Sequence, residues 1–266
     1  MSIRRKEPKQ AARGLGRLTE QIRAKLDQFY RTSAAPCPYL PGRFERKVFT
    51  RLSGPNARDV HESLAQKGFR RSQNIAYKPV CEGCNACLSI RIRVADFVPS
   101  RSMQRVMARN SDIRSEVVDP WASEEQFSLL RRYLDARHAG GGMSGMTLFD
   151  YVAMVEDSAV ETHIVEYRFQ TGSVWPGPLA AICLTDALSD GLSMVYSFYD
   201  VGLTARSLGT LMVLDHIAQA KARGLPYVYL GYYIKGSRKM EYKGRFGPLE
   251  ARFAEGWSQF TPPPLG

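Results

Sequence analysis

Apolar residues in the last hundred positions form short runs that are separated by polar and glycine-containing turns. Runs at residues 162–169, 179–185, 193–199 and 227–234 predict strands. A helix is predicted between the last two runs, at residues 208–223. Strands followed by a helix and a further strand indicate an α/β lobe.

The first half contains shorter elements that are interrupted by prolines and glycines. Three prolines and a glycine in APCPYLPGR, at residues 35–43, exclude a regular helix there. Residues 55–67 predict a helix that stops at Gly68. Residues 72–79 and 88–94 are expected to be extended, which places the cysteines between them in a turn.

Two helices are predicted in the middle of the chain. Ser123 and Gln126 fit a capping box ahead of a helix over residues 124–138. The glycine-rich stretch at residues 139–146 is expected to be a mobile surface loop, and a short helix follows at residues 148–155.

Positive charge is concentrated in the N-terminal part of the chain. The net charge is +11, and residues 1–114 contain 24 Lys and Arg against 9 Asp and Glu, whereas residues 115–266 contain 13 against 17. A basic surface attracts polyanions by counterion release and steering. The charge therefore favours nucleic acid as a partner, and an anionic membrane surface also fits it.

Five arginines are the candidates for contact with a nucleic-acid backbone: Arg43, Arg46, Arg101, Arg105 and Arg109. The last three recur every four residues, from the residue just before to the middle of a helix predicted over residues 102–113, which places them on one helical face. A solvated face and a strip for phosphate contact both fit this spacing. The basic residues 1–28 fit either a solubilising tail or an arm for the same partner.

No apolar stretch reaches the roughly 18 residues that a membrane helix needs. The N-terminal MSIRRKEPKQ is basic but is not followed by the apolar region of a signal peptide. We therefore expect a soluble, cytoplasmic protein without a membrane partner. The protein is also expected to be a monomer.

The cysteines are Cys37, Cys81, Cys84, Cys87 and Cys183. A cytoplasmic protein rarely has a disulfide framework, so clustered cysteines are expected to be metal ligands or redox-active thiols. The C-x₂-C-x₂-C pattern of CEGCNAC suits Zn²⁺ or an iron–sulfur cluster, and Cys37 is the candidate fourth ligand. Reduced structural cysteines beside a turn are the alternative, and Cys183 is expected to pack in the core.

A second motif begins where a predicted strand ends at Asp200. The fragment R-S-L-G, at residues 206–209, resembles the loop with which GNAT acyltransferases hold the pyrophosphate of coenzyme A at a helix start. The resemblance makes Arg206, Ser207 and Gly209 candidates for substrate binding. Leu211 occupies the place of a Gly or Ala in that loop and would crowd a pyrophosphate.

The predicted strand at residues 227–234 is followed by a loop that is crowded with positive charge. This loop contains Lys235, Arg238, Lys239, Lys243 and Arg245, in a half of the chain that is otherwise acidic. A local positive pocket there suits a small acidic ligand or an RNA 3′ end.

Several sequence blocks, in this order, resemble those of one family. The blocks are CPYLPGR, GFRRSQNIAYKPVCEGCNAC, SRSMQRVMARN, VYSFYD with SLGT, and YLGYYIKGSRKMEYKGRFGPLE. They are similar to blocks of the aspartate/glutamate leucyltransferases, bacterial relatives of eukaryotic arginyl-tRNA-protein transferase. The resemblance runs from about Phe29 to Leu249.

This resemblance implies a GNAT-like mixed sheet flanked by helices, with a smaller Cys-containing N-terminal lobe. The expected segments are a basic arm at residues 1–28, the N-terminal lobe at 29–115, a catalytic domain at 116–255 and a tail at 256–266. Leu-tRNA is the implied donor, and a protein with N-terminal Asp or Glu is the implied acceptor. The product would be marked for N-degron proteolysis.

The implied chemistry requires no cofactor, because an aminoacyl ester is already activated and positioning supplies much of the rate. Asp200 is predicted to orient or deprotonate the attacking amine, and capping of the following loop is its alternative role. Tyr199 and Tyr242 are predicted to donate to the oxyanion. The acidic side chain of the acceptor is expected to pair with Lys239, Lys243 or Arg245.

Two rival functions and one departure from the family complete the expectations. Eukaryotic relatives have C-x-x-C where this chain has Cys37-Pro38-Tyr39-Leu40, so one cluster ligand of those relatives is absent here. A CoA-dependent GNAT acetyltransferase explains R-S-L-G, and Leu211 opposes it. A non-enzymatic RNA-binding protein with a zinc knuckle explains the charge and the cysteines but leaves the C-terminal lobe without a purpose.

Overall fold

The chain folds around a large and a small β-sheet in a computed structural model that describes residues 28–137, 143–170 and 176–263. The helices of this described part are α1 (Ala57–Gln66), α2 (Arg101–Arg109), α3 (Glu124–Arg137), α4 (Leu148–Glu156), α5 (Leu208–Ala222) and the short α6 (Arg238–Glu241). The strands are β1 (Tyr30–Arg31), β2 (Ala35–Pro36), β3 (Phe44–Glu45), β4 (Lys47–Arg51), β5 (Arg70–Ser72), β6 (Ile75–Pro79), β7 (Cys87–Arg93), β8 (Ile113–Val118), β9 (Thr162–Phe169), β10 (Leu179–Leu188), β11 (Gly191–Tyr199), β12 (Tyr227–Ile234), β13 (Leu249–Arg252) and β14 (Trp257–Phe260).

The large sheet has eight strands in the order β14-β13-β7-β12-β11-β10-β9-β8. Its neighbours are antiparallel except for β11 and β12, which are parallel. Helices cover the sheet on both faces. The predicted α/β class with a mixed sheet flanked by helices is therefore confirmed.

Alternate residues of the central strands supply two separate cores. In β9, Val165 faces the core that α5 covers, and Ile164 faces the core that α3 and α4 cover. Cys183 and Ile182 of β10 divide in the same way, because successive side chains of a strand point to opposite faces. Cys183 is fully buried, as the sequence predicts.

The small sheet has the strand order β1-β4-β6-β5, and α1 packs on it through a cluster around Leu52, Leu64 and Ala76. One buried ion pair ties this sheet to the large one. Nε and Nη2 of Arg71 donate to the two carboxylate oxygens of Asp186 in β10, at 2.7 Å each. Both side chains are almost completely buried.

Several predicted elements are confirmed and one is too long. The strands at residues 162–169 and 227–234 have the predicted bounds. The capping box is present, because Ser123 Oγ accepts from Gln126 N and Gln126 Oε1 accepts from Ser123 N. The basic helix predicted over residues 102–113 ends at Arg109, since Ile113 already belongs to β8.

The large sheet contains strands from three of the expected segments, and the segment boundaries stay predictions. β7, from the expected N-terminal lobe, pairs with β12 and β13 in the middle of the large sheet. β8 crosses the boundary between residues 115 and 116, and β14 forms the sheet edge inside the expected tail. Strand partners far apart in the chain determine this arrangement, and local patterns do not encode them.

Some expectations fall on residues outside the described ranges. These are residues 1–27 of the basic arm, residues 139–142 of the glycine-rich loop and residues 264–266 of the tail. Within the described ranges, no helix is both long and apolar enough to cross a bilayer.

Candidate active site

The parallel strands β11 and β12 separate soon after they pair. Their register covers only Gly191–Ser193 of β11, which lies opposite Tyr227–Tyr229 of β12. Between Tyr229 and Gly231 the register of β12 with β7 also shifts. The next carbonyl groups of β11 are therefore available to a partner outside the sheet.

That partner is Arg70, the first residue of β5, which enters the gap from the small sheet. Its Nη2 donates to the carbonyl oxygens of Met194, at 2.9 Å, and Val195, at 3.2 Å. Gly231 has φ +79°, and a Cβ there would lie 2.5 Å from Arg70 Cζ. Glycine at this position therefore serves both the backbone conformation and the guanidinium.

A second cation approaches Arg70 from the basic turn, which comprises residues 235–245. Lys243 Nζ donates to the carbonyl oxygen of Tyr232 at 2.9 Å. Burial and the charge of Arg70 lower the pKa of Lys243 to about 7. Among the residues that the structure describes, neither cation makes an ion pair.

The lowered pKa of Lys243 predicts a pH-dependent contribution to stability. The folded group titrates at about 7 and the unfolded group at 10.5. Between these values the unfolded chain binds the proton and the folded chain does not, so the contribution rises with pH through this window. We expect the free energy of unfolding of the wild type, minus that of Lys243→Met, to rise between pH 7 and about 10.

Urea unfolding of both proteins at pH 6, 8 and 10 measures this difference. Lys239→Met removes an exposed lysine of the same basic turn and is the matched control. A difference for Lys243→Met that stays constant with pH would contradict the prediction.

The other two cations that were expected to pair with an acidic side chain lie elsewhere. Lys239 is exposed on α6. Arg245 is also exposed, and its Nη2 donates to Thr210 Oγ1 at 3.3 Å while its guanidinium lies 5.9 Å from the ring centre of Tyr242. Of the three predicted residues, Lys243 is the one that donates to β12 next to Gly231, through the carbonyl oxygen of Tyr232.

Tyrosine side chains border the first turn of α5. The rings of Tyr133 and Tyr199 meet edge to face, with 5.1 Å between their centres. A Cβ at Gly209 would lie 3.6 Å from Tyr199 Cε1, so this ring packs over the helix start. Burial and the neighbouring Tyr199 raise the pKa of Tyr242, which keeps its phenol protonated and able to donate.

Asp200 follows β11 and caps the next turn. One carboxylate oxygen accepts from the backbone N–H of Gly202 at 2.8 Å, and its own N–H donates to the carbonyl of Ala180. This is the loop-capping role that the sequence offers as the alternative. The carboxylate remains partly exposed beside Tyr199, and its action on an amine stays a prediction.

Residues of the R-S-L-G fragment make contacts within the protein and connect to the start of α5. Arg206 makes a bidentate ion pair with Asp112, at 2.6 and 3.0 Å, and donates to the carbonyl of Arg109. Ser207 adopts the left-handed conformation before α5, and its hydroxyl does not cap the helix. The guanidinium of Arg206 is thus committed within the protein, and Leu211 packs on the core instead of lining an open loop.

The arginines predicted to contact nucleic acid form two groups. Arg43 and Arg46 border a shallow pocket with Cys84, where they contact Gly83 and Glu82 respectively. Arg101 and Arg105 are exposed on α2, whereas Arg109 donates to the carbonyl of Ala205. Of the α2 arginines, Arg101 and Arg105 are therefore best placed for an external phosphate.

The four clustered cysteines lie near one another. Burial, followed by the thiols of Cys81, Cys37 and Cys84, raises the pKa of Cys87 to about 12. All four are free thiols. In the described part of the chain, however, no three His, Cys, Asp or Glu side chains are arranged as a metal site. Metal binding by Cys37, Cys81, Cys84 and Cys87 stays a prediction.

Two segments match the same family of transferases. Residues 35–105 match the family described as "Arginine-tRNA-protein transferase, N terminus", and residues 125–252 match "Arginine-tRNA-protein transferase, C terminus". The matched residues include β5 with Arg70, the cysteine cluster and the whole basic turn.

Curated relatives match over nearly the entire chain. An "Aspartate/glutamate leucyltransferase" of Parvibaculum lavamentivorans is 57% identical over 240 residues, which cover 90% of this chain and 98% of the relative. One of Methylobacterium nodulans is 58% identical, covering 86% of this chain and 95% of the relative. The chain belongs to the aspartate/glutamate leucyltransferase family. It is accordingly an aminoacyltransferase, and the predicted resemblance is confirmed.

Solved structures resemble the chain only weakly. A GCN5-related glucosamine N-acetyltransferase region of a fungal enzyme aligns with a TM-score of 0.41 and 10% identity, over 88% of this chain and 24% of that one. For this member of the leucyltransferase family, the fold description therefore rests on the sheet itself.

Sequence reasoning missed Arg70 as a site residue. In the leucyltransferase-like block GFRRSQNIAYKP it belongs to a generally basic surface, and nothing local distinguishes it from Arg71. The available signal was the glycine inside the otherwise aromatic strand YVYLGYYI, because a strand glycine often marks a bulge or a close approach.

Proposed function

We propose that this chain transfers leucine from Leu-tRNA to the α-amine of proteins that begin with Asp or Glu. The observation that carries the proposal is the similarity to leucyltransferases, at 57% identity across 90% of the chain. The geometry supports it, because the basic turn and the tyrosines meet where β11 and β12 separate. The same proposal includes a cytoplasmic monomer whose product enters N-degron proteolysis.

The chemistry forms one amide bond and breaks one ester bond. The neutral α-amine attacks the leucyl carbonyl, the bond between the carbonyl carbon and the ribose oxygen of the tRNA breaks, and the proton lost by the amine passes to that oxygen to form the ribose hydroxyl. Tyr199 and Tyr242 are the proposed donors to the oxyanion of the tetrahedral intermediate. Asp200, at the end of β11, is the proposed group that orients the amine.

The tRNA is proposed to lie across exposed and partly exposed arginines of the N-terminal half. Arg43, Arg46, Arg101 and Arg105 offer guanidinium groups that suit phosphate oxygens. Each phosphate contact releases counterions, so the affinity should fall steeply as salt concentration rises.

Removing two of these arginines should weaken tRNA binding without unfolding the protein. For Arg101→Ala with Arg105→Ala we expect a several-fold lower affinity for Leu-tRNA and a salt slope reduced by about 2. Filter binding at several salt concentrations measures both. Arg132→Ala changes an exposed arginine on α3, across the sheet, and should leave the slope unchanged. An unaltered slope in the double variant would remove α2 from the interface.

A transfer assay tests the function directly. The purified protein is incubated with Leu-tRNA and a peptide that begins with Asp, and a mass increase of one leucine residue is the expected result. In a parallel reaction with acetyl-CoA in place of Leu-tRNA, transfer of acetyl to the peptide would support the alternative function, the GNAT acetyltransferase. tRNA binding without any transfer would support the non-enzymatic RNA-binding protein.

A further inference from the structure

Arg70, whose guanidinium occupies the side-chain position of Gly231, forms with Lys243 what we term the cationic recess. It lies in the gap between β11 and β12, beside the tyrosines that border α5. The charge of Arg70 acts on both Lys243 and Tyr242, so these groups share one electrostatic environment.

One edge of the Arg70 guanidinium is fixed and the other is unused. Nη2 holds the carbonyls of Met194 and Val195. Nη1 is buried, and no atom of the described residues accepts from it. A buried donor without an acceptor is unfavourable. A ligand that supplies the acceptor should therefore bind more tightly, because it forms the hydrogen bond that Nη1 lacks in the unbound protein.

Lys243 adds a second unused capacity. When it is protonated, its ammonium has three donors, and one is used on the carbonyl of Tyr232. The charge of Arg70 disfavours this protonated form, and an anion bound next to both groups would favour it. A planar carboxylate fits best, because a guanidinium edge and an ammonium can each donate to one of its oxygens.

The cover of the recess is lightly packed. Nη1 of Arg70 is buried, so a ligand reaches it only when a neighbouring segment moves aside, and the basic turn that contains Lys243 is the proposed cover. None of the four residues of α6 is buried, and Phe246 is the buried residue of the following turn, Tyr242–Phe246. Few buried contacts hold this segment closed, which suits a cover that opens for a side chain.

We propose that the cationic recess binds the side-chain carboxylate of the acceptor's first residue, and that Arg70 sets the preference for Asp and Glu. The inference rests on the proposed leucyl transfer. It assigns the acidic specificity to Arg70 with Lys243, and it leaves Lys239 and Arg245 outside the recess.

The test compares two peptides that differ only in their first residue, Asp or its isostere Asn. kcat/KM for the acceptor is measured at saturating Leu-tRNA for the wild type, Arg70→Gln and Lys243→Gln. We expect the wild type to prefer Asp by about 100-fold. Arg70→Gln should remove most of this preference by lowering kcat/KM for the Asp peptide but not for the Asn peptide. The KM for Leu-tRNA should stay unchanged. Arg51→Gln, an exposed arginine of the same small sheet, should keep the preference.

The outcomes separate the two proposals. A wild type that leucylates neither peptide overturns the proposed function itself. The assignment to Arg70 is overturned if Arg70→Gln is active and still prefers the Asp peptide. It is also overturned if Arg70→Gln loses activity equally with both peptides and has a raised KM for Leu-tRNA. This second result would indicate that the recess binds a tRNA phosphate. If Arg70→Gln does not fold, Lys243→Gln decides, because it should lower the preference about 10-fold and an intact preference refutes the proposal.

Discussion

Replacing Asp186 by alanine should destabilise the folded protein by about 3–5 kcal/mol. Asp186 is fully buried and accepts from Arg71 at two positions and from Thr162 Oγ1 at 2.8 Å. The substitution leaves the guanidinium of Arg71 buried without its counter-charge, and the desolvation of that charge is then uncompensated. The midpoint of urea unfolding, at an unchanged slope, measures the loss.

Asp135→Ala is the control for this prediction. Asp135 pairs with Arg131 at 3.0 Å, but its side chain is 63% exposed. Exposed pairs contribute about 0–1 kcal/mol, so this variant should unfold near the wild-type midpoint. The double variant Arg71→Met with Asp186→Leu should recover part of the stability, because it removes both charges. Equal unfolding midpoints for Asp186→Ala and Asp135→Ala would show that the ion pair between the sheets does not contribute to the free energy of unfolding.

Replacing Gly231 by alanine should lower kcat/KM for an Asp-starting peptide by about 100-fold, equivalent to about 2.7 kcal/mol of transition-state stabilisation. Alanine is strained at φ +79°, and its Cβ would lie 2.5 Å from both Cζ and Nη1 of Arg70. The guanidinium must leave the carbonyls of Met194 and Val195, so the recess loses its fixed cation. Steady-state kinetics with the Asp peptide measure the effect.

Gly224→Ala is the control that separates backbone strain from displacement of Arg70. Gly224 has φ +68°, but a Cβ there meets no atom within 4 Å. Both variants therefore share a backbone cost of about 1–2 kcal/mol, and only one displaces Arg70. A similar loss of activity in both would assign the effect to general destabilisation.

The sequence correctly predicted those secondary-structure elements that are determined by residues close together in the chain. The residues of β9 and β12 are apolar runs bounded by turns, and their bounds agree with the prediction. The capping box at Ser123 was readable for the same reason, since its two hydrogen bonds join residues three apart. The membership of β7 in the large sheet depends on partners more than a hundred residues away, and no periodicity contains that information.

The site shows the same division. Lys243 was predicted because it belongs to a basic loop in an acidic half, which is a feature of composition. The ion pair between Arg206 and Asp112 was not foreseen, because it joins residues 94 positions apart. Arg70 becomes distinctive only when β5 lies against β11, and the only local sign of this contact is the glycine across the gap.

The two adjacent arginines of β5 contact different parts of the large sheet. Neighbouring side chains of a strand point in opposite directions, so one short strand delivers Arg71 to the buried aspartate and Arg70 to the recess. A one-residue slip would exchange the two guanidiniums. The anchoring of the small sheet and the proposed specificity of Arg70 therefore depend on the register of the same three residues, and a change that shifts one should shift the other.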